Sequence, residues 1–370
     1  MLKLVVAAVV LIPSAGSARF GAVAAQGPAP PITMQLNYDA AEAMIAALER
    51  DSLTDAGIDS LWRIPGVRAM VDNIIHFQPG FTPADFPHDL RYFIKRKKEY
   101  RNARNPGLLS LASIWQTRGQ VRVLVRDIRS REQAIVDGII AQLSPYAPRT
   151  GPLHLTVYFV AGGVSDGFVF DRPGASAFYA NLVRAGGDVN GAISNMAHET
   201  YHVMQKAAQR QAGLTRVADA TDSLPPLERL LAVTLAEGTA NFAVDPTRTT
   251  APGPNIDASR ARYRRNEAPA RIAENFALFD RVANDLVAGR MNWYRADELG
   301  FSGNNDARFY FVGRVIAAAI ERYCGAQCVA NAFERPPAEF YRAYIALYRK
   351  HPEMTARFDA RTELLIESLR

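Results

Sequence analysis

The chain has 370 residues, 48% of them hydrophobic and 22% charged, an ordinary globular composition. Its formal charge is +6, and two of those positive charges, Lys3 and Arg19, fall in an N-terminal leader. What remains is too modest to imply a nucleic-acid partner. The length suits one large domain or two closely packed ones.

Residues 1–25 have the form of a signal peptide. Lys3 supplies a positive start, residues 4–12 are an apolar run too short to span a bilayer, and small residues follow. Val23, Ala24 and Ala25 give a cleavage point before Gln26, with Gly16, Ser17 and Ala18 as an earlier one; the alternative is an ordinary buried N-terminal strand or helix. No later stretch approaches the ~20 apolar residues of a membrane span. The expectation is an exported protein, periplasmic or secreted, with no stable membrane insertion.

Residues 26–150 read as a mostly helical N-terminal region. After a Pro/Gly/Ala lead-in at 26–31, residues 32–37 alternate like a short strand. Residues 38–50 have helical spacing with Asp39 as the cap. A second helical stripe covers 61–77, interrupted near Pro65, and further helices fit 83–103, 108–116 and 126–143. Residues 120–125 alternate and suggest a strand between the last two. A basic run (Arg91, Lys95, Arg96, Lys97, Lys98, Arg101, Arg104) reads as a solvated helix face rather than an anionic-surface contact. His76, His88 and His351 stand alone and read as structural or surface residues.

The pattern changes at Pro152. Residues 153–161 are rich in β-branched and aromatic side chains and end at Gly162 and Gly163; Phe168, Val169 and Phe170 form a second short run and 178–182 a third. His154 alternates within the first of these and reads as a strand residue, not a ligand. Asn190 is placed to cap a helix over 191–210. Pro225 and Pro226 open another that ends before Pro246. Residues 245–258 form a Pro/Gly/Thr-rich loop, 268–286 a helix, and Asp306 caps a helix over 307–323. Helices at 338–350 and 353–369 finish the chain. The fold class is therefore α+β, predominantly helical, with a small sheet before the helix at 191–210.

That helix carries His198, Glu199, Thr200, Tyr201 and His202. Two histidines four apart lie one above the other on a helix face and reach one metal ion, and the glutamate beside the first is placed to take a proton from water. A catalytic zinc site needs a third protein ligand. Glu237, a carboxylate in the middle of an apolar helix, is costly to bury unless paired or metal-bound. Gly238 next to it implies another group close to the backbone. Asn241, one turn on, is placed to hydrogen-bond a ligand histidine. Cys324 and Cys328 are a possible disulfide closing a short loop; two free thiols are the alternative.

With these residues in place, His198–His202 followed by Glu237, Gly238 and Asn241 resembles the gluzincin group of zinc metallopeptidases. The closest likeness is to bacterial families of uncharacterised zinc-dependent peptidases. The resemblance implies a zincin-like core over 151–370, zinc held by His198, His202 and Glu237, and Glu199 as general base. It extends to Phe309, Tyr310 and Gly313, and makes Tyr310 the donor to the oxyanion. Better-known gluzincins often carry aspartate where this chain has Asn241. The implied function is an exported zinc-dependent hydrolase acting on peptide or protein substrates. The alternative is a non-catalytic periplasmic metal-binding or scaffold protein with an idle site; Glu199 argues against it, since catalysis needs that residue and zinc binding does not.

Overall fold

Residues Ile32–Asn37 (β1), Leu153–Val160 (β2), Gly167–Phe168 (β3) and Ser176–Asn181 (β4) make one four-stranded sheet in the order β1-β2-β4-β3. β1 and β4 flank β2 in parallel, and β3 runs antiparallel to β4 at the edge. The structure, a computed structural model, describes residues 32–78, 80–99, 107–148, 151–169 and 176–369. The leader (1–25), the lead-in (26–31), Arg101, Arg104 and Phe170 lie outside the described residues. Strand alternation sends Leu153, Leu155, Val157 and Phe159 into the core and leaves His154 exposed. Because β1 pairs with β2, the N-terminal region supplies a strand to the sheet, and the hydrophobic core runs unbroken across residue 150.

Among the described residues, six α-helices fill the front of the chain: α1 (Asp39–Glu49), α2 (Asp55–Trp62), α3 (Pro65–Phe77), α4 (Asp85–Arg96), α5 (Leu111–Ser130) and α6 (Glu132–Leu143). Three expectations are corrected here. Asp39 is the first helical residue rather than the cap, and Asn37 Oδ1 accepts from its backbone N–H at 3.1 Å. Residues 120–125 are not a strand but the middle of α5. Val121, Leu124, Val125 and Ile128 are buried at helical spacing while Val123 is exposed, so the 3.6-residue period outweighs the local alternation. Lys97 is not solvated. It is buried, and its Nζ donates to the carbonyls of Leu48, Glu49 and Arg50 at 3.2, 3.2 and 2.6 Å, closing the C-terminus of α1.

Ten more helices follow: α7 (Val189–Gln211), α8 (Thr215–Asp219), α9 (Pro226–Ala243), α10 (Pro254–Asn266), α11 (Pro269–Val287), α12 (Trp293–Gly300), α13 (Arg308–Cys324), α14 (Ala326–Ala330), α15 (Pro337–Lys350) and α16 (Ala360–Ser368). The cap of α7 is Asp188, not Asn190. Its carboxylate accepts from Gly191 N at 2.8 Å and also from Asn255 N and Ile256 N at 2.8 and 3.1 Å, so one buried carboxylate caps both α7 and α10. The expected loop at 245–258 gives way to α10 at Pro254. Asp306 does not cap α13: it is left-handed (φ 64°) and accepts from Arg265 and Arg271 at 3.0 Å each. α16 starts at Ala360 with Asp359 as its cap, later than expected. Cys324, the last residue of α13, and Cys328 in α14 are joined as a disulfide. Among the described residues, no helix is long and apolar enough to cross a membrane.

Candidate metal centre

α7 turns Met196, Ala197, Tyr201, Met204 and Ala208 fully inward and leaves His198, Glu199 and His202 half-buried on the adjoining stripe. α9 lies beside it and brings Glu237 to the same point. The position of α9 follows from its glycine. A Cβ on Gly238 would lie 2.3 Å from Gly313 Cα of α13, and one on Gly313 would lie 2.2 Å from the Thr234 carbonyl oxygen. The two helices therefore cross backbone to backbone, as the lone helical glycine implied. This crossing puts Tyr310, at the start of α13, next to Glu237.

His198, His202 and Glu237 each offer one ligand atom to a shared point. The two Nε2 atoms are 3.0 Å apart, and Glu237 Oε2 is 3.3 Å from each. A tetrahedral ion with bonds of ~2.0–2.1 Å requires ligand atoms ~3.3 Å apart, so the donor set has the spacing and the N,N,O chemistry of a catalytic zinc site. The hydrogen bonds behind it agree. Gln205 Nε2 donates to Ala236 O and Thr239 Oγ1, both at 2.9 Å, which turns its Oε1 toward His202 Nδ1 at 2.8 Å. Nδ1–H is then the donor, and the Nε2 lone pair faces the other two ligand atoms. Three electron-rich atoms this close repel unless a cation stands among them.

A proton can meet that need as well as a metal ion. Burial opposes charge on His202, but the Glu237 carboxylate, together with Glu199 and Gln205, outweighs it and raises the imidazole to about 9. Burial likewise pushes Glu237 up, and the two histidines overcome it, holding the carboxyl well below the usual range. Glu199 is different: burial raises it, the nearby Glu237 adds to that, and His202 and His198 only partly offset it. The Tyr310 hydroxyl is raised well above its ordinary value by burial and by its hydrogen bond and proximity to Glu237, with Arg262 pulling the other way. Its ring lies parallel to that of His198, with centroids 6.5 Å apart.

Two cavities meet at these residues. The larger, about 700 Å³, is bordered by His198, Glu199 and Tyr310 together with α10 and the segment before α13; the smaller, about 400 Å³, lies toward His202, Gln205 and Phe168. Edge strand β3 passes directly over Glu199, since a Cβ on Gly167 would come within 3.3 Å of its Oε1. Asn241 is buried at the wall of the larger cavity. Its amide nitrogen has no hydrogen-bond partner among the described residues, neither histidine included. The residue that hydrogen-bonds a histidine of the candidate ligand set is Gln205, three positions after His202 and buried on a polar stripe of α7. That spacing was the available signal. Asn181, at the end of β4, also borders the larger cavity. It bonds the backbone of Gly162, Ser165 and Val183 and holds the loop after β2. Arg262 on α10, past the loop expected at 245–258, also borders the larger cavity.

Residues 83–353, well over half of the chain, match the family described as "Putative zinc dependent peptidase (DUF5700)". The chain belongs to this family. The match includes every residue of the metal centre and both cavities, and it straddles residue 150, in keeping with the continuous core. No curated protein and no solved structure matches the chain.

Proposed function

We propose that this family member is an exported zinc peptidase of gluzincin type, with His198, His202 and Glu237 as the ligands and Glu199 as general base. The observation that carries the reading is the convergence of two imidazole nitrogens and a carboxylate within 3.3 Å of one another, with a second carboxylate one residue from the first histidine. When bound there, zinc supplies Lewis acidity, polarising a carbonyl and making water nucleophilic near neutral pH.

The chain's own groups do the remaining work. Glu199, half-buried under β3, takes the proton of the attacking water and returns it to the leaving amine nitrogen. Its raised affinity for protons suits both transfers. The Tyr310 hydroxyl, kept protonated by burial and by Glu237, donates to the oxygen on which negative charge develops. Having no side chain, Gly167 lets β3 lie against Glu199 without displacing it, and the edge of β3 offers backbone groups to an extended peptide.

Glu199→Gln tests the assignment. Zinc content after zinc-replete expression should match the wild type while hydrolysis of a peptide pool falls below detection. Retained activity would remove Glu199 as the base, and less than about a tenth of a zinc per wild-type chain would end the zinc reading. Export is tested on the mature protein, whose N-terminus should be Gln26 by mass spectrometry.

A further inference from the structure

The larger cavity carries more polar groups than the hydrolytic step uses. Of the arginines that border it, Arg184 is paired with Asp166 at 3.7 Å and Arg265 with Asp306 at 3.0 Å. Arg262 has no acidic partner among the described residues, and its Nε is out of solvent without a hydrogen bond. Asn241, 5% exposed on the facing helix α9, has an amide nitrogen in the same condition. Unsatisfied buried donors are destabilising, and both lack the same thing, an oxygen acceptor. Neither belongs to a loose element. Asp188 caps α10, Arg260 Nε bonds Pro246 O at 3.1 Å, and the buried Tyr263 hydroxyl donates to Asn241 O at 3.0 Å, so the two helices hold Arg262 and Asn241 in fixed relation.

α10 and the segment before α13 are braced by Asp306, which takes Arg265 and Arg271, so both borders of the cavity beside Arg262 are held in place. A guanidinium without an acidic partner and a buried amide donor beside it suit a planar anion such as a carboxylate.

We infer that the cavity receives the free C-terminal carboxylate of the substrate on Arg262, with Asn241 donating beside it, so that the enzyme removes residues from peptide C-termini. This rests on the peptidase reading above and names its substrate class. The carboxylate offsets the unpaired guanidinium and supplies the missing acceptor, while the scissile carbonyl lies toward Glu199 and Tyr310.

The test uses the zinc-loaded Glu199→Gln protein and an N-terminally fluorescein-labelled degenerate pentapeptide pool, prepared as free acids and as C-terminal amides. Fluorescence anisotropy should show the acids binding at least tenfold tighter. Arg262→Met should abolish that difference by weakening the acids alone, and Arg262→Lys should keep part of it, with zinc content unchanged in both. Equal affinity for acids and amides, no binding of the acids, or an acid preference that survives in Arg262→Met overturns the inference. An amidated pool with an internal glutamate that binds as tightly as the acids assigns Arg262 to a side-chain carboxylate and overturns the C-terminal reading. Wild-type protein given the same pools separates this inference from the one beneath it. Cleavage of acids and amides at equal rates leaves the peptidase and removes the carboxylate site. Cleavage of neither, with Arg262-dependent acid binding intact, removes the peptidase and leaves the site.

Discussion

In the proposed zinc site, Gln205 sets how His202 is presented, through the 2.8 Å bond from His202 Nδ1 to its Oε1. Its two donated bonds, to Ala236 O and Thr239 Oγ1, reach onto α9, so one side chain orients an α7 histidine and joins the two helices that carry the ligand set. Replacing it with leucine keeps the volume roughly, removes the acceptor for His202 Nδ1–H and frees the imidazole to rotate or change tautomer. Supporting residues of this kind are worth ~10–100-fold in metal affinity. Gln205→Leu should weaken zinc binding by that range in competition with a chromophoric chelator, and an unchanged affinity would show that the ring is held by packing alone. Tyr310→Phe makes the complementary case. The ring packing beside His198 survives and only the hydroxyl, with its bond to Glu237, is lost; with zinc held at saturation, kcat should fall ~10²–10³-fold with little change in KM. A loss expressed mainly in KM would assign the hydroxyl to substrate binding instead.

The helix crossing sets where those residues stand. Gly238 and Gly313 let α9 and α13 touch through their backbones, and a methyl group on Gly238 would lie 2.3 Å from Gly313 Cα and 2.7 Å from Arg314 N. Neither neighbour is the end of a flexible side chain, so the helices must separate. Gly238→Ala should lower stability by ~1–3 kcal/mol and weaken zinc binding as well, because Glu237 is adjacent and Tyr310 rides on the other helix. The control is built into the molecule. Gly119 in α5 and Gly138 in α6 have nothing within 4 Å of an added Cβ, and alanine there should stabilise by ~0.5–1 kcal/mol through helix propensity alone. Thermal unfolding of the three variants checks both signs. Half of this was legible in the sequence: a glycine inside an apolar helix implied a close neighbour. That the neighbour is Gly313 was not legible, because nothing in either helix's own periodicity encodes its partner. The same limit hid α10. Ile256, Tyr263 and Asn266 are its only buried residues, so it shows no amphipathic stripe, and what holds it is an aspartate 67 positions before Asn255.

At the scale of the molecule, elements whose burial follows their own period were readable, including β1, β2, β4 and the inward stripe of α7; those fixed by distant polar contacts were not. The C-terminal segment belongs to the second kind. Its helix α16 docks on α11 through a buried polar cluster in which Asp280 Oδ2 accepts from Asp359 N at 3.1 Å and Asn284 Nδ2 donates to Thr362 Oγ1 at 3.2 Å. Asp280 Oδ1 and Asn284 Oδ1, one helical turn apart, are both buried without a donor. A proton on Asp280 would give this cluster the donor it lacks. Burial raises Asp280 to about 6, with the charges of Asp359 and Glu363 adding and the bonds from Thr362 and Asp359 N opposing. The sign follows from where the proton is held. Between the ordinary value of 3.8 and about 6 the folded chain keeps a proton that the unfolded chain has released, so stability falls as pH rises through this window and stays lower above it. The full loss is at most ~3 kcal/mol. Asp280→Asn presents an N–H at every pH and has no charge to acquire. Its Tm should therefore exceed that of the wild type at pH 8, and the gap should shrink toward pH 4. A gap of the same size at both pH values would mean that the amide acts through packing rather than by removing an ionisation.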